Sequence, residues 1–267
     1  MKPLIDLIFA SEKRMSALLM LHEGPQEITT LMEALDTSRQ VLLPQMKILS
    51  ERHLVRRADD SYELTTLGGL IVDRMLPLTN MATVLNCEWD YLGTHYMNFI
   101  PEPLLKRIDE LGTCYVVETS LSELFNVNRE IIQKSRESKF YYSITSFVYP
   151  NFKELFMSLA ADGVNISLMI SKSLSLKLIN DNYDDFQILI TNPDIRFYLY
   201  PDDLDFVCFT LADHSILFRM LTLEGNYDAK QIMFSEGNAH KWGEAFFEHY
   251  RAKSIHIKDA DEISSLI

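Results

Sequence analysis

The chain has 267 residues, 47% of them apolar and 24% charged, the balance of a globular protein long enough for two domains with separate cores. Its formal net charge of −13 excludes a chain that binds nucleic acid along its whole length and confines any such contact to a local basic patch. No run of about 18 apolar residues is present to span a bilayer, and the N-terminus lacks the basic-then-apolar order of a secretory signal, so a cytoplasmic location is expected.

Charge is unevenly spread. Residues 1–76 carry nine Lys or Arg against eleven Asp or Glu, and the rest carry sixteen against twenty-seven. The acidic part should avoid nucleic acid, which leaves the N-terminal part for any DNA contact. Cys87, Cys114 and Cys208 are far apart and form no CxxC, so neither a disulfide framework nor a cysteine zinc site is suggested; small buried hydrophobes are the expected role.

In chain order, Leu4 to Leu21 reads as an apolar-rich helix ended by Gly24, with Lys13 and Arg14 on its polar side. Pro25 to Leu35 reads as a short second helix, with Ile28, Leu31, Met32 and Leu35 at helical spacing. After a short turn comes DTSRQVLLPQMKILSERHLV. Thr37 and Ser38 are placed to cap a helix whose apolar side is Val41, Leu42, Met46, Ile48 and Leu49, and whose other side carries Arg39, Gln40, Gln45 and Lys47. Pro44 predicts a kink or a late start. Leu54 to Arg57, a polar turn at Asp59 to Ser61, and Tyr62 to Thr65 read as a hairpin. Two helices with a short turn, then a hairpin, is the order of a winged helix-turn-helix. Between Arg39 and Arg57 there are five Lys or Arg and one acidic residue, Glu51. The candidate contacts to double-stranded DNA are Thr37, Ser38, Arg39, Gln40, Gln45, Lys47, Arg56, Arg57, Ser61 and Tyr62; a solvated charged face is the competing account.

From Thr66 to about His95, Ile71, Met75, Leu78, Ala82, Leu85, Trp89 and Leu92 recur at alternating spacings of four and three, the a/d period of a helix–helix seam. A single amphipathic helix lying on its own domain would show the same stripe. The segment is read as connector and dimerisation helix together, which predicts a homodimer and a pseudo-palindromic operator.

From about Pro101 strands alternate with helices. Strands are expected at Cys114–Val117, Phe140–Thr145, Val164–Ile170, Ile195–Tyr200, Phe206–Leu211, Ser215–Leu221 and Gln231–Phe234, with helices at Leu121–Glu137, Asn151–Ala161, Leu174–Asp181 and Ala239–Ala252. The tail after Lys258 is expected to fray. The fold class is thus α+β multidomain: a winged helix-turn-helix over 1–66, a connector over 67–100, and a mixed α/β effector domain over 101–267.

Laid out in this order, the chain resembles the methanogenesis-regulatory winged-helix family of methanogenic archaea. In the first domain the resemblance rests on LLPQMKILSERHLV and YELTTLGGLIVDRM, in the second on FKELFMSLAADGVNISLMI, LEGNYD and HKWGEAFFEHYR. It implies transcription regulation, with the C-terminal domain as sensor. The second domain also looks like the phospholipase-D-type fold of some archaeal sugar-responsive regulators. Enzymes of that fold need a His, a Lys two residues on and an Asp five beyond the Lys. Here His256-Ile257-Lys258 is followed by Ile263 where Asp would fall, so the fold is expected without the activity.

No GxGxxG, P-loop, GxSxG or HExxH occurs, and no cofactor or metal is expected. Asp184-Asp185 and Asp202, Asp203 and Asp205 read as solvated loops. A sheet of this kind binds ligands beyond the carboxyl ends of its strands, which places a small polar or anionic metabolite between the loops at Thr145-Ser146 and Ser171-Lys172. Tyr200, Asp213, His214 and Arg219 are further candidates to line it, against a plain hairpin turn at Asp213-His214. The leading reading is a ligand-responsive DNA-binding regulator, not an enzyme. The alternatives are an interaction protein whose acidic domain docks a partner, and a phosphodiesterase or nuclease fused to a DNA-binding module.

Overall fold

The computed structural model describes residues 3–119, 129–213, 215–234 and 239–266. They form two compact units, 1–79 and 80–267. The residues read from sequence as a connector therefore divide between the units.

In the first unit, α1 (Leu4–Phe9) and α2 (Glu12–Met20) replace the single expected helix. The break comes at Ser11, whose hydroxyl accepts from the Arg14 N–H and so starts a new helix. A 3-10 turn at Leu21–Glu23 ends at Gly24, whose φ of 137° suits only glycine. β1 (Gln26–Glu27) precedes α3 (Ile28–Ala34), so the second helix is shorter than expected: Gln26 and Glu27 pair with Tyr62 and Ser61 instead. This pairing joins residues 36 and 34 positions apart, Gln26 with Tyr62 and Glu27 with Ser61, and has no periodic signature in the sequence.

After the turn at Leu35–Ser38 comes α4 (Arg39–Glu51), then β2 (Val55–Ala58) and β3 (Ser61–Leu64), closing a three-stranded antiparallel sheet in the order β1-β3-β2. Asp36 and Asp59 take the left-handed conformation, φ 43° and 55°, at the two turns, a role short polar side chains tolerate. The helix α4 starts at Arg39 and runs through Pro44, so the late start is not observed. Leu18, Leu31, Leu42, Met46, Leu49 and Val72 are fully buried at the centre of this unit.

α5 (Thr66–Cys87) and α6 (Trp89–Thr94) follow, separated at Glu88, where φ −145° and ψ 60° end the helix. α7 (Glu102–Leu105) leads to β4 (Cys114–Glu118), α8 (Arg129–Arg136), β5 (Phe140–Thr145), α9 (Phe152–Ala161), β6 (Asn165–Ile170), α10 (Lys172–Asp181), α11 (Tyr183–Ile190) and β7 (Ile195–Leu199). β8 (Cys208–Ala212), β9 (Ser215–Arg219), β10 (Lys230–Phe234), α12 (Ala239–Arg251), β11 (Ile255–Ile257) and α13 (Ala260–Leu266) complete it. The first part of the helix expected over Leu121–Glu137 lies outside the described residues.

Among the described residues these strands make one eight-stranded sheet, β11-β7-β6-β5-β8-β9-β10-β4. β5, β6 and β7 are parallel, and every other neighbour is antiparallel. On the parallel half, α9, α10, α11 and α13 cover one face through Phe156, Leu159, Leu174, Phe186 and Ile263 against Leu168, Ile170 and Phe197. The opposite face is closed by α12, whose Trp242, Phe246, Phe247 and Tyr250 recur at helical spacing. Trp242 Nε1 donates to the Leu104 carbonyl at 2.9 Å and Tyr250 Oη to that of Phe99 at 2.8 Å, so both polar ends are satisfied where the rings are buried.

Three expectations change here. The tail does not fray, because Ala260 and Ile263 are buried. Asp184 and Asp185 form the first turn of α11, where acidic groups suit the helix dipole. Tyr91, Leu92, Phe99 and Ile100, read as connector, lie in the core of the second unit.

Candidate nucleic-acid interface and effector cleft

The face of α4 away from the first unit's core presents Arg39, Gln40, Val41, Pro44 and Lys47, all exposed. Val41 was expected on the apolar side; at 48% exposure it belongs to the outward face. Gln45 is half-buried, and its Oε1 accepts from Arg14 Nε at 2.9 Å, so that oxygen serves the domain itself. Arg14 also donates to the Leu7 carbonyl and Lys13 to that of Leu35, which makes both basic residues internal ties. Ser38 occupies the N-cap position with no side-chain cap bond; its carbonyl receives the N–H groups of Val41 and Leu42. The expected hydroxyl caps from Thr37 and Ser38 are therefore absent. Thr37 is half-buried and Ser38 exposed at the amino end of the outward face.

On the hairpin, Arg56 pairs with Glu63 at 2.6 Å and Arg57 with Asp60 at 3.5 Å, both arginines remaining exposed. Each local partner lies on or beside the hairpin. Ser61 donates to the Ala58 carbonyl, and Tyr62 packs half-buried against the core. Of the residues proposed to touch DNA, Arg39, Gln40, Lys47, Arg56 and Arg57 thus carry exposed donors; Val41 is a reachable apolar neighbour that sequence reading had placed inside.

The heptad row does not stay on one surface. Met75 is buried and Ile71 half-buried in the first unit's core, while Leu92 is buried and Leu85 half-buried in the second's. Leu78 and Ala82 are exposed, and Trp89 lies beyond the break at Glu88 and is exposed. A continuous seam from Ile71 to Leu92 is ruled out by that break. Leu67 and Leu70, which lie outside the expected row, are 56% and 60% exposed alongside Leu78.

In the second unit, a cleft of about 470 Å³ opens at the carboxyl ends of β5 and β6, between the loop 146–151 and α10. Loop residues Ser146 to Pro150 and Phe152 form one wall, Ser173, Leu174, Lys177 and Asn182 the other. Phe147, Val148, Tyr149 and Phe152 also border a chamber of about 30 Å³, room for a water or two. Its floor is Tyr141, Ser143 and Thr145 on β5 with Thr210 on β8, small or hydroxyl-bearing residues where the neighbouring strands carry Leu168, Ile170 and Phe197. Burial pushes the Tyr141 hydroxyl up to about 12, with hydrogen bonds to Thr210 and Ser143 opposing the shift. Burial also raises Tyr149 well above the ordinary phenol value.

The predicted ligand residues are only partly brought together. Ser146 lines the cleft. The Thr145 hydroxyl accepts from Phe147 N and donates to Phe147 O, pinning the loop. Ser171 caps α10, and the Ser173 N–H is held by Asp203 Oδ1 at 3.1 Å, so the amino end of that helix already faces a carboxylate. Lys172 is not among the residues that line the cleft, and its N–H is bonded to the Asp202 carbonyl. Tyr200 packs against Tyr250, with the α12 core. Asp213 and Arg219 are separated by the length of β9: Asp213 bonds the Lys139 N–H at the amino end of β5, whereas Arg219 sits level with its carboxyl end, where Cys208 pairs with both Thr145 and Arg219. His214 lies outside the described residues. The expected polar cluster is therefore not one site.

Arg219 is buried, donates from Nε to Gln231 Oε1 at 3.1 Å, and holds its guanidinium 5.5 Å from the Phe147 ring and 5.4 Å from the Tyr149 ring. Sequence reading missed Lys177 and the aromatic wall, although the aromatic run FVYP directly after β5 was a visible sign. His256 is exposed on the edge strand β11, while Ile263 is fully buried in α13. Among the described residues no group of three His, Cys, Asp or Glu is placed to hold a metal ion, and no helix is long and apolar enough to cross a membrane.

Comparison with known proteins adds the following. TrmBL2, an archaeal chromatin protein described as showing a novel mode of DNA binding, is similar at 12% identity and a TM-score of 0.42, over 92% of this chain and 94% of that one. Nuc from Salmonella typhimurium, a phospholipase D family member, gives 13% identity and 0.37 over 55% and 99%. Neither likeness establishes a shared fold. The methanogenesis regulatory protein FilR1 of Methanothrix harundinacea (strain 6Ac) is 20% identical over 262 residues, covering 96% of this chain; the chain spans 58% of that relative's length. Residues 4–84 match the family described as the HVO_A0261 N-terminal domain. Residues 124–253 match the middle domain of the methanogenesis regulatory protein FilR1, and together with that relative this supports a kinship with a methanogenesis regulatory family.

Proposed function

We propose that the protein is a DNA-binding transcription regulator, reading double-stranded DNA through the outward face of α4 and steadying it through the β2–β3 hairpin. The observation that carries this is the exposed row Arg39, Gln40, Val41 and Lys47 on the second helix of a helix-turn-helix, beside a hairpin with two exposed arginines. Arg and Gln offer paired donors that match base edges, and Val41 suits a thymine methyl. The regulator works in the cytoplasm as a homodimer on a pseudo-palindromic operator, the second copy meeting the exposed leucines of α5, and the α/β unit, a phospholipase-D-like effector without catalytic residues, answers to a small ligand. The hydrolase alternative is weakened at one point: Ile263, where a catalytic Asp would be needed, is a core residue. Fluorescence anisotropy on duplexes selected from genomic fragments tests the reading. Saturable, sequence-dependent binding is expected; binding equally weak on every duplex, and unchanged by Arg39→Ala, would reject it.

A further inference from the structure

We propose that the cleft at the carboxyl ends of β5 and β6 binds a small aromatic carboxylate, its ring against Phe147, Tyr149 and Phe152 and its carboxylate paired with Lys177. This names the ligand class of the effector unit, and rests on the regulator reading only for its consequence at DNA.

Position is the first reason. β5 is the strand at which the sheet changes from parallel pairing with β6 to antiparallel pairing with β8. Crevices outside the carboxyl ends of parallel strands are where open α/β sheets take ligands, and β5 and β6 are such a pair. The volume of about 470 Å³ falls within the range of about 300 to 1,000 Å³ common for small-molecule sites.

Charge is the second. Among the described residues no Asp or Glu lines the cleft, and Lys177 is the one charged lining residue. In a chain of net charge −13 a concavity whose one charged lining residue, among those described, is a lysine selects against cationic ligands. A phosphate is disfavoured as well. It would need several donors, yet the lining supplies one flexible ammonium and no arginine fork, and the Ser173 N–H is already taken by Asp203. A single carboxylate on Lys177, with the Asn182 amide at hand, fits this smaller demand.

The wall is the third. Phe147 and Tyr149 meet edge to face at 4.9 Å, and Pro150 and Phe152 extend the apolar surface. Such aromatic walls favour a planar ring, which gains offset or edge contacts beyond its buried area. The same two rings pack on the Arg219 guanidinium behind them, and the chamber of about 30 Å³ leaves the loop backed by a small space. A ring docked on the loop therefore bears directly on the platform that holds Arg219.

The test is calorimetric titration of the full chain, without DNA, with benzoate, its neutral isostere benzamide, acetate and inorganic phosphate. Benzoate is expected to bind saturably and about tenfold more tightly than benzamide, the worth of one charge-assisted contact in a partly open site, with acetate and phosphate weaker still. Lys177→Met should bring benzoate to the level of benzamide and leave benzamide unchanged. Phe147→Leu should weaken both, with its melting temperature checked alongside. Equal affinity for benzoate and benzamide, tighter binding of phosphate, an unchanged Lys177→Met, or no binding of any of the four would each overturn the proposal. Because no DNA is present, these outcomes are separate from success or failure of the DNA-binding reading.

Discussion

Gly68 lies so close to Leu54 that a Cβ built on the glycine would stand 2.0 Å from the Leu54 carbonyl oxygen. That oxygen already accepts from Thr65 N and from the Thr65 hydroxyl, and the same hydroxyl receives the Gly68 N–H. The start of α5 is thereby locked onto the segment that joins α4 to β2. Gly68→Ala gains about 1 kcal/mol of helix propensity but must displace backbone, for a net loss of about 1 to 3 kcal/mol. Gly69 has nothing within 4 Å of its Cβ position, so Gly69→Ala should be neutral or stabilising. Urea denaturation followed by circular dichroism compares the two; equal midpoints would show that the close approach is not needed.

At DNA, the α4 face and the hairpin should separate by their response to sequence and salt. Arg39→Ala or Gln40→Ala is expected to cost about 1 to 3 kcal/mol on the preferred duplex and much less on unrelated ones. Arg57→Ala should weaken all duplexes alike and lower the salt slope by about one. Arg56 is held at 2.6 Å by Glu63, so its removal should matter less than that of Arg57, whose acidic partner stands at 3.5 Å. A salt titration of the four variants checks this ordering.

Local patterns were legible in the sequence, and long-range ones were not. β5 was placed to the residue because FYYSIT is followed by a turn and a helix; α12 was legible because Trp242, Phe246 and Tyr250 share one face. β1 was hidden because Gln26 and Glu27 form a strand only through Tyr62 and Ser61. The site shows the same division. Sheet logic pointed to the carboxyl ends of β5 and β6, and a cleft opens at that position, lined by Ser146 but not by Thr145, Ser171 or Lys172. Asp213 and Arg219 looked adjacent in sequence but sit at opposite ends of β9, and the His95–Asp228 pair at 3.3 Å, 133 residues apart, left no local trace.

The exposed leucines of α5 predict self-association without the full heptad row. Leu70→Glu with Leu78→Glu places charges on a surface that must be dry in a dimer and should yield folded monomers, because neither side chain supports a core. Leu92→Glu should instead damage the fold, since Leu92 is buried in the second unit. Sedimentation decides: a wild type that is monomeric at micromolar concentration removes the dimer.

Acid should loosen the amino end of α10. Hydrogen bonds from the Ser173 side chain and backbone hold the Asp203 carboxyl below its ordinary value. A group depressed in the folded state contributes stability above its unfolded pKa, about 3.9 for Asp, and loses that contribution as pH falls through the folded value. Between pH 5 and 3, in round terms, the melting temperature of wild type should therefore fall more steeply than that of Asp203→Asn. Parallel curves would show that the contact is too exposed to matter.

Arg219 was a candidate ligand contact by sequence, and its surroundings predict a different phenotype. The side chain is 1% exposed, tied to Gln231 and flanked by the Phe147 and Tyr149 rings. Removing a buried, hydrogen-bonded cation strands its partners and opens a cavity, a loss of about 3 kcal/mol or more. Arg219→Lys should not restore it, because an ammonium lacks the planar group that packs over the two rings. Both tryptophans of the chain, Trp89 and Trp242, lie in the second unit, so tryptophan fluorescence follows its unfolding alone. Arg219→Met is expected to lower that transition strongly, and any loss of benzoate binding should track the fraction unfolded. A variant that melts like the wild type yet no longer binds benzoate would move Arg219 from scaffold to ligand contact.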